Sequence, residues 1–145
     1  MFRDFLTRLM APEPVISDPD ARLALAALLV RIARTDGHYA VPEIARIDRL
    51  LAERYGLSHP DAQALRRNAE TLEEEAPDTV RFTRAIKEAV PYADRVEVIA
   101  ALWAVVLADG ARGAEEDALM RMTASLLGVN DRDSGLARQR VEAKG

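Results

Sequence analysis

Four carboxylates stand at matched spacing in this chain. Asp36-Gly37 is separated by five residues from Glu43, and Asp109-Gly110 by five residues from Glu116. Each Asp falls where an apolar helix is expected to end. The last carbonyls of a helix are partly negative, so a carboxylate there is unfavourable unless something offsets it. The glycine supplies a left-handed stop without steric cost. The Glu falls in the first turn of the next helix, where negative charge is favoured.

A hard divalent cation takes oxygen ligands. A loop carboxylate and a helix-start carboxylate can share one, with freed backbone carbonyls filling the shell. Asp36, Glu43, Asp109 and Glu116 are therefore the candidate metal ligands, and the chemistry does not choose among divalent cations. The competing reading is local. Each Asp can bend back onto loop N–H groups as an Asx-turn, a role that Asn fills nearly as well. An EF-hand is excluded, because its loop needs acidic or amide ligands at alternate positions before the glycine. Ala111 and Ala114 have no ligating side chain, and His38 has Ala111 as its counterpart, so a symmetric histidine ligand fails. Arg112 stands where the first loop has Tyr39, and it can shield the second site or pair with Glu115 or Glu116.

Catalytic signatures are absent. The chain has two histidines and no cysteine, and it lacks both HExxH and a glycine-rich phosphate loop. Paired carboxylates can do acid–base work or support metal-assisted hydrolysis, but nothing in the sequence marks a substrate pocket. No catalytic residue is assigned, and a non-enzymatic module is expected.

The elements that must position these groups are helices. Ser17-Asp18-Pro19 starts one that runs to about Arg34 and is apolar all round over Leu23–Val30. Pro42 opens the next, which Gly56 ends. Ser58 and Pro60 start a third that runs to about Glu74, with a charged side of Arg66, Arg67, Glu70, Glu73 and Glu74. Pro77-Asp78 starts a fourth. Asp94 is the expected cap of a fifth, over about Arg95–Ala108, again apolar nearly all round and carrying Trp103. After Asp109-Gly110 come a helix at about Ala114–Leu127, stopped by Gly128, and a last one capped by Asn130 or Asp131. No stretch alternates as a strand would. The expected fold is all-α, a single domain over residues 1–145 with about seven or eight helices.

The two halves also align with each other. A shift of 73 residues pairs Arg22 with Arg95, Ala27 with Ala100, Leu29 with Leu102, Asp36 with Asp109, Gly37 with Gly110 and Glu43 with Glu116. Internal repeats over approximately 20–72 and 93–143 are expected, related by an approximate two-fold that brings the two apolar helices together.

Composition agrees. Hydrophobic residues make up 49% and charged residues 30% of 145, with only 5% aromatic, a mix that favours packed helices over disorder. A net charge of −4 gives no basic footprint for nucleic acid. The longest apolar run, Val98–Ala108, is too short to span a bilayer. The first ten residues, MFRDFLTRLM, interleave charge with apolar residues and lack the core of a signal peptide. They form an amphipathic pattern with Phe2, Phe5, Leu6 and Leu9 on one side, for which docking on the domain is the simplest role and membrane-surface binding the alternative. A cytoplasmic protein, at most peripheral to the membrane, is expected.

The stretches ARTDGHYAVPEIARIDRLL and VVLADGARGAEEDALMRM resemble the tellurite-resistance TerB-like family over about residues 20–130. The resemblance implies an all-helical, internally two-fold domain whose acidic residues bind a divalent metal. Carried over, those ligands are again Asp36, Glu43, Asp109 and Glu116. It also implies a stress-response role exercised through protein partners, often near the membrane, and a relative attached to J-type chaperone modules. A metal-independent helical scaffold or co-chaperone-like domain is the alternative. In that case the charged side of the third helix or the N-terminal helix would be the docking surface. No thiol is present to reduce or trap tellurium.

Overall fold

The computed structural model describes residues 18–35, 39–75, 79–108 and 114–144. Among these are seven helices and no strand: α1 Asp18–Arg34, α2 Val41–Tyr55, α3 His59–Glu75, α4 Val80–Ala89, α5 Tyr92–Val106, α6 Ala114–Leu126 and α7 Asp131–Lys144. The all-α expectation holds. The helix expected at residues 1–10 and both Asp-Gly pairs lie outside the described residues.

The core is built around α1. Every residue from Ala24 to Val30 is buried. A helix that is apolar on all sides needs neighbours on all sides, and α1 has them in α2, α3, α4, α5 and α6. α5 is its partner, burying Val98–Ala100 and Leu102–Val106 and packing against α7, α2 and α6. Ala100 and Ala104 of α5 lie near Leu25 and Leu29 of α1. Each fully buried Leu or Ile here stabilises the fold by about 1.5–3 kcal/mol.

Helix ends follow the same chemistry in both halves. Gly56 and Gly128 adopt left-handed φ values of 62° and 74°. The next residue in each case donates its N–H back to a carbonyl five residues earlier, Leu57 to Ala52 at 3.0 Å and Val129 to Ala124 at 2.9 Å. The following helix is then capped alike. The Asp61 N–H donates to Ser58 Oγ at 3.3 Å, and the Asp133 N–H donates to Asn130 Oδ1 at 2.8 Å.

Two boundaries differ from the sequence reading. α5 starts at Tyr92, ahead of Asp94, because the Pro91 carbonyl already accepts the Asp94 and Arg95 N–H groups at 3.0 Å each. Asp94 is thus a first-turn acid rather than the cap, and the helix ends at Val106. α4 starts at Val80, and Pro77-Asp78 lies outside the described residues.

Candidate functional site

Of the four candidate ligands, Glu43 and Glu116 are described, while Asp36 and Asp109 lie outside the described residues. Both glutamates are buried, Glu43 at 1% and Glu116 at 3% exposure. A first-turn position does not by itself require burial, since helix N-termini normally keep their acids in water.

Pro42 sets the first turn of α2, and Glu43 folds back so that Oε1 accepts the Ala40 N–H at 3.2 Å. Ala40 has no side-chain acceptor, so only one half of a capping box is made. Among the described residues no three His, Asp or Glu side chains converge as a metal site. The donor chemistry of the glutamates suits a hard cation, but its other ligands would have to come from the Asp-Gly segments.

The first loop is flanked by a polar assembly that sequence patterning did not reveal. Arg31 and Arg34, in the last turn of α1, both reach Glu73 of α3. Arg34 Nη1 donates to Oε1 at 2.7 Å, and Arg31 Nε donates to Oε2 at 3.1 Å. Arg31 Nη2 also holds the Glu73 carbonyl at 3.1 Å, and its guanidinium lies 5.1 Å from the Phe82 ring centre. Tyr39, at the exit of the loop, donates its hydroxyl to Glu70 Oε2 at 2.7 Å beneath the Arg34 guanidinium. Arg66 closes the chain, donating to Glu70 at 3.0 Å and to the buried Asp48 of α2 at 2.6 Å.

The electrostatics follow from this arrangement. Burial, and then the Glu70 hydrogen bond, push the Tyr39 hydroxyl well above the usual tyrosine range. Burial works against charge on Arg34 and Arg66, but their carboxylate partners outweigh it and hold both guanidiniums above the ordinary arginine value. Two cations at the end of α1 also offset its negative pole. The charged side of α3 is therefore largely turned inward: Glu73 holds α1, Arg66 holds α2 and Glu70 holds Tyr39, while Arg67 and Glu74 are exposed. Much of the side expected to dock a partner in the scaffold alternative is thus engaged in this assembly. Its clue in the sequence was the Arg31–Arg34 pair, the only charges in the last three turns of an otherwise apolar helix.

The second loop has a different approach. Where α1 carries Arg31 and Arg34, α5 and its end carry Ala104 and Leu107. The helix tightens at its end, with Leu107 N–H to the Trp103 carbonyl at 2.9 Å and Ala108 N–H to Val105 at 3.2 Å. Polar contacts between α5 and α7 sit elsewhere. Trp103 Nε1 donates to Ser134 Oγ at 3.3 Å, Tyr92 Oη to Asp133 Oδ2 at 2.5 Å, and Arg140 to Glu97 at 2.8 Å.

The class defined by this geometry is an all-helical module with two buried glutamates, each following an Asp-Gly pair. The family described as Tellurite resistance protein TerB matches residues 22–139. The chain belongs to that family. No curated protein and no solved structure matches it. Among the described residues no helix is long and apolar enough to cross a membrane.

Proposed function

We propose that this chain is a non-enzymatic, cation-responsive helical module of the TerB family. In this reading Asp36 and Glu43 hold a divalent cation at the first loop, and Asp109 and Glu116 do so at the second. The observation that carries it is the burial of Glu43 and Glu116 at equivalent places beside the two loops. Two carboxylates at these places put the oxygen donors that a hard divalent cation takes beside both Asp-Gly pairs. The cation would also relieve each Asp of its conflict with the preceding helix end. Binding would tie the two loops together and present a surface to a protein partner in a stress response, cytoplasmic or at the membrane surface. The second loop has the greater need, since Ala104 and Leu107 supply no cation where Arg31 and Arg34 do.

The Ala40 N–H bond to Glu43 favours the second reading, a metal-independent scaffold in which Glu43 serves the backbone alone. Glu43→Gln separates the two, since the amide keeps an acceptor for Ala40 and loses the charge. Calcium, magnesium, manganese and zinc are titrated into the protein while its melting is followed. A cation at a hundredfold excess over its dissociation constant should add about 2.7 kcal/mol. The gain should shrink in Asp36→Asn, shrink more in Asp109→Asn, and vanish in the double variant and in Glu43→Gln with Glu116→Gln. If none of the four cations raises the melting temperature of the unaltered chain, the scaffold reading stands instead.

A further inference from the structure

We propose that the amphipathic N-terminal segment, residues 2–10, is seated as a helix in a groove between α2, α5 and α7. There it would do for α5 what α4 does for α1. The proposal is independent of any cation.

The groove has a volume of about 800 Å³. Leu25 and Leu29 of α1 and Ala100 and Ala104 of α5 floor it, and Leu50 and Arg54 of α2 wall it. Its position is informative. α4 packs on α1, and beside it on α6 and α5. Exchanging each helix for its counterpart under the 73-residue shift turns α1, α6 and α5 into α5, α2 and α1. Those three helices line the groove. Among the described residues no helix lies there.

The pairing extends to single residues. α4 lays Phe82 against the Arg31 guanidinium, and the counterpart of Arg31 is Ala104, on the groove floor. α4 buries Phe82, Thr83, Ala85 and Ile86 and exposes Arg81, Arg84 and Lys87. The N-terminal segment repeats that order three residues out of the 73-residue register, Leu6-Thr7-Arg8-Leu9-Met10 matching Phe82-Thr83-Arg84-Ala85-Ile86 at an offset of 76. Phe2 and Phe5 lengthen its apolar face. α4 precedes α5 with two residues between them, and this segment precedes α1 with seven.

The tether reaches. Seven residues, 11–17, separate Met10 from the start of α1 at Asp18, and they span up to about 24 Å when extended. One turn into α1, Arg22 stacks over Tyr55 at 4.5 Å, and Tyr55 adjoins the wall residue Arg54. The chain therefore enters α1 beside one end of the groove. A tether this short gives an effective concentration of order millimolar, and each buried Leu adds to it. The basic residues on the segment need no partner in the groove, since α4 leaves Arg84 and Lys87 in water.

The absence of cysteine permits a direct test in the full chain. Leu6→Cys or Leu9→Cys is combined with Ala104→Cys or Ala101→Cys, and each pair is oxidised at several dilutions. At least one pair should form an intramolecular disulfide in the monomer, with a yield independent of dilution. Leu6→Cys with Ala64→Cys, on the exposed side of α3, should not. In a separate chain carrying Ala101→Cys alone, adding Leu6→Asp should speed thiol labelling on the order of tenfold, the loss of one apolar anchor, with helicity unchanged. Bonds that form only between molecules would put a second copy in the groove and overturn the proposal. So would equal yields at Ala64, or a labelling rate that ignores Leu6→Asp.

Discussion

The end of α1 and the end of α5 answer the same problem differently. Both helices are sheathed in apolar neighbours, and both run into an Asp-Gly pair. α1 finishes on Arg31 and Arg34, which share Glu73 and stack on Phe82 and Tyr39. α5 finishes on Ala104 and Leu107, and its polar contacts to α7 run from the buried Trp103–Ser134 hydrogen bond to the surface pair Arg140–Glu97, with side chains 47% and 50% exposed. The difference teaches that matched sequence positions need not carry matched electrostatics. Arg34 and Tyr39, on either side of the first loop, are tied to α3 by charged partners, whereas the matching end of α5 carries no arginine.

The contrast can be broken at its strongest link. Asp48 and Arg66 are only 7% and 12% exposed as side chains. Asp48→Ala strands a guanidinium with only Glu70 to answer it and should cost about 3 kcal/mol in urea unfolding. A cost below about 1 kcal/mol would mean that the first-half assembly is no firmer than a surface pair.

The glycine stops give the next largest effect. Gly56→Ala and Gly128→Ala each force a left-handed alanine, at about 1–2 kcal/mol. Around Gly56 nothing lies within 4 Å of an added Cβ, whereas at Gly128 that atom would meet Arg95 Nη1 at 3.2 Å. Arg95 also donates to the Leu127 carbonyl at 2.7 Å, so it cannot move away freely. Gly128→Ala should therefore be the more destabilising of the two, by about 1 kcal/mol. Equal costs would show that Arg95 yields.

Alkaline titration sharpens the same comparison. The Tyr39 hydroxyl is raised above its ordinary value in the fold, first by burial and then by Glu70. Its contribution is complete below the unfolded tyrosine pKa of about 10 and is lost as pH climbs above that toward the folded value. Tyr39→Phe should flatten this alkaline loss and cost about 1 kcal/mol at neutral pH. Tyr92, raised by its Asp133 hydrogen bond, is exposed, and Tyr92→Phe should change the alkaline limb less than Tyr39→Phe does. The smallest effect belongs to Glu97→Ala, expected within about 0.5 kcal/mol for an exposed pair.

Much of the fold was written in local signals. Pro42, Gly56, Pro60 and Gly128 mark helix ends by what their backbones can do, and the ends fall there within a residue or two. α5 escaped by starting earlier, because Pro91 offered its carbonyl to Asp94 and Arg95 ahead of any side-chain cap. The candidate ligands were legible as types and spacing, but the burial of Glu43 and Glu116 was not. A position in a first turn fixes a helix face, whereas burial depends on what other helices lay over it. The assembly around Glu73 was hidden for the same reason. Arg31 and Glu73 are 42 residues apart, and only the docking of α3 on α1 joins them.

The enclosure of α1 also bears on how this protein comes apart. A helix walled in by five others cannot detach while the rest remains folded. The amides of Leu25–Val30 should exchange with deuterium only when the whole domain opens, and so report its global stability. A protease should find no partly open form that exposes this stretch. With α1 as its axle, the domain has little room to lose one half and keep the other.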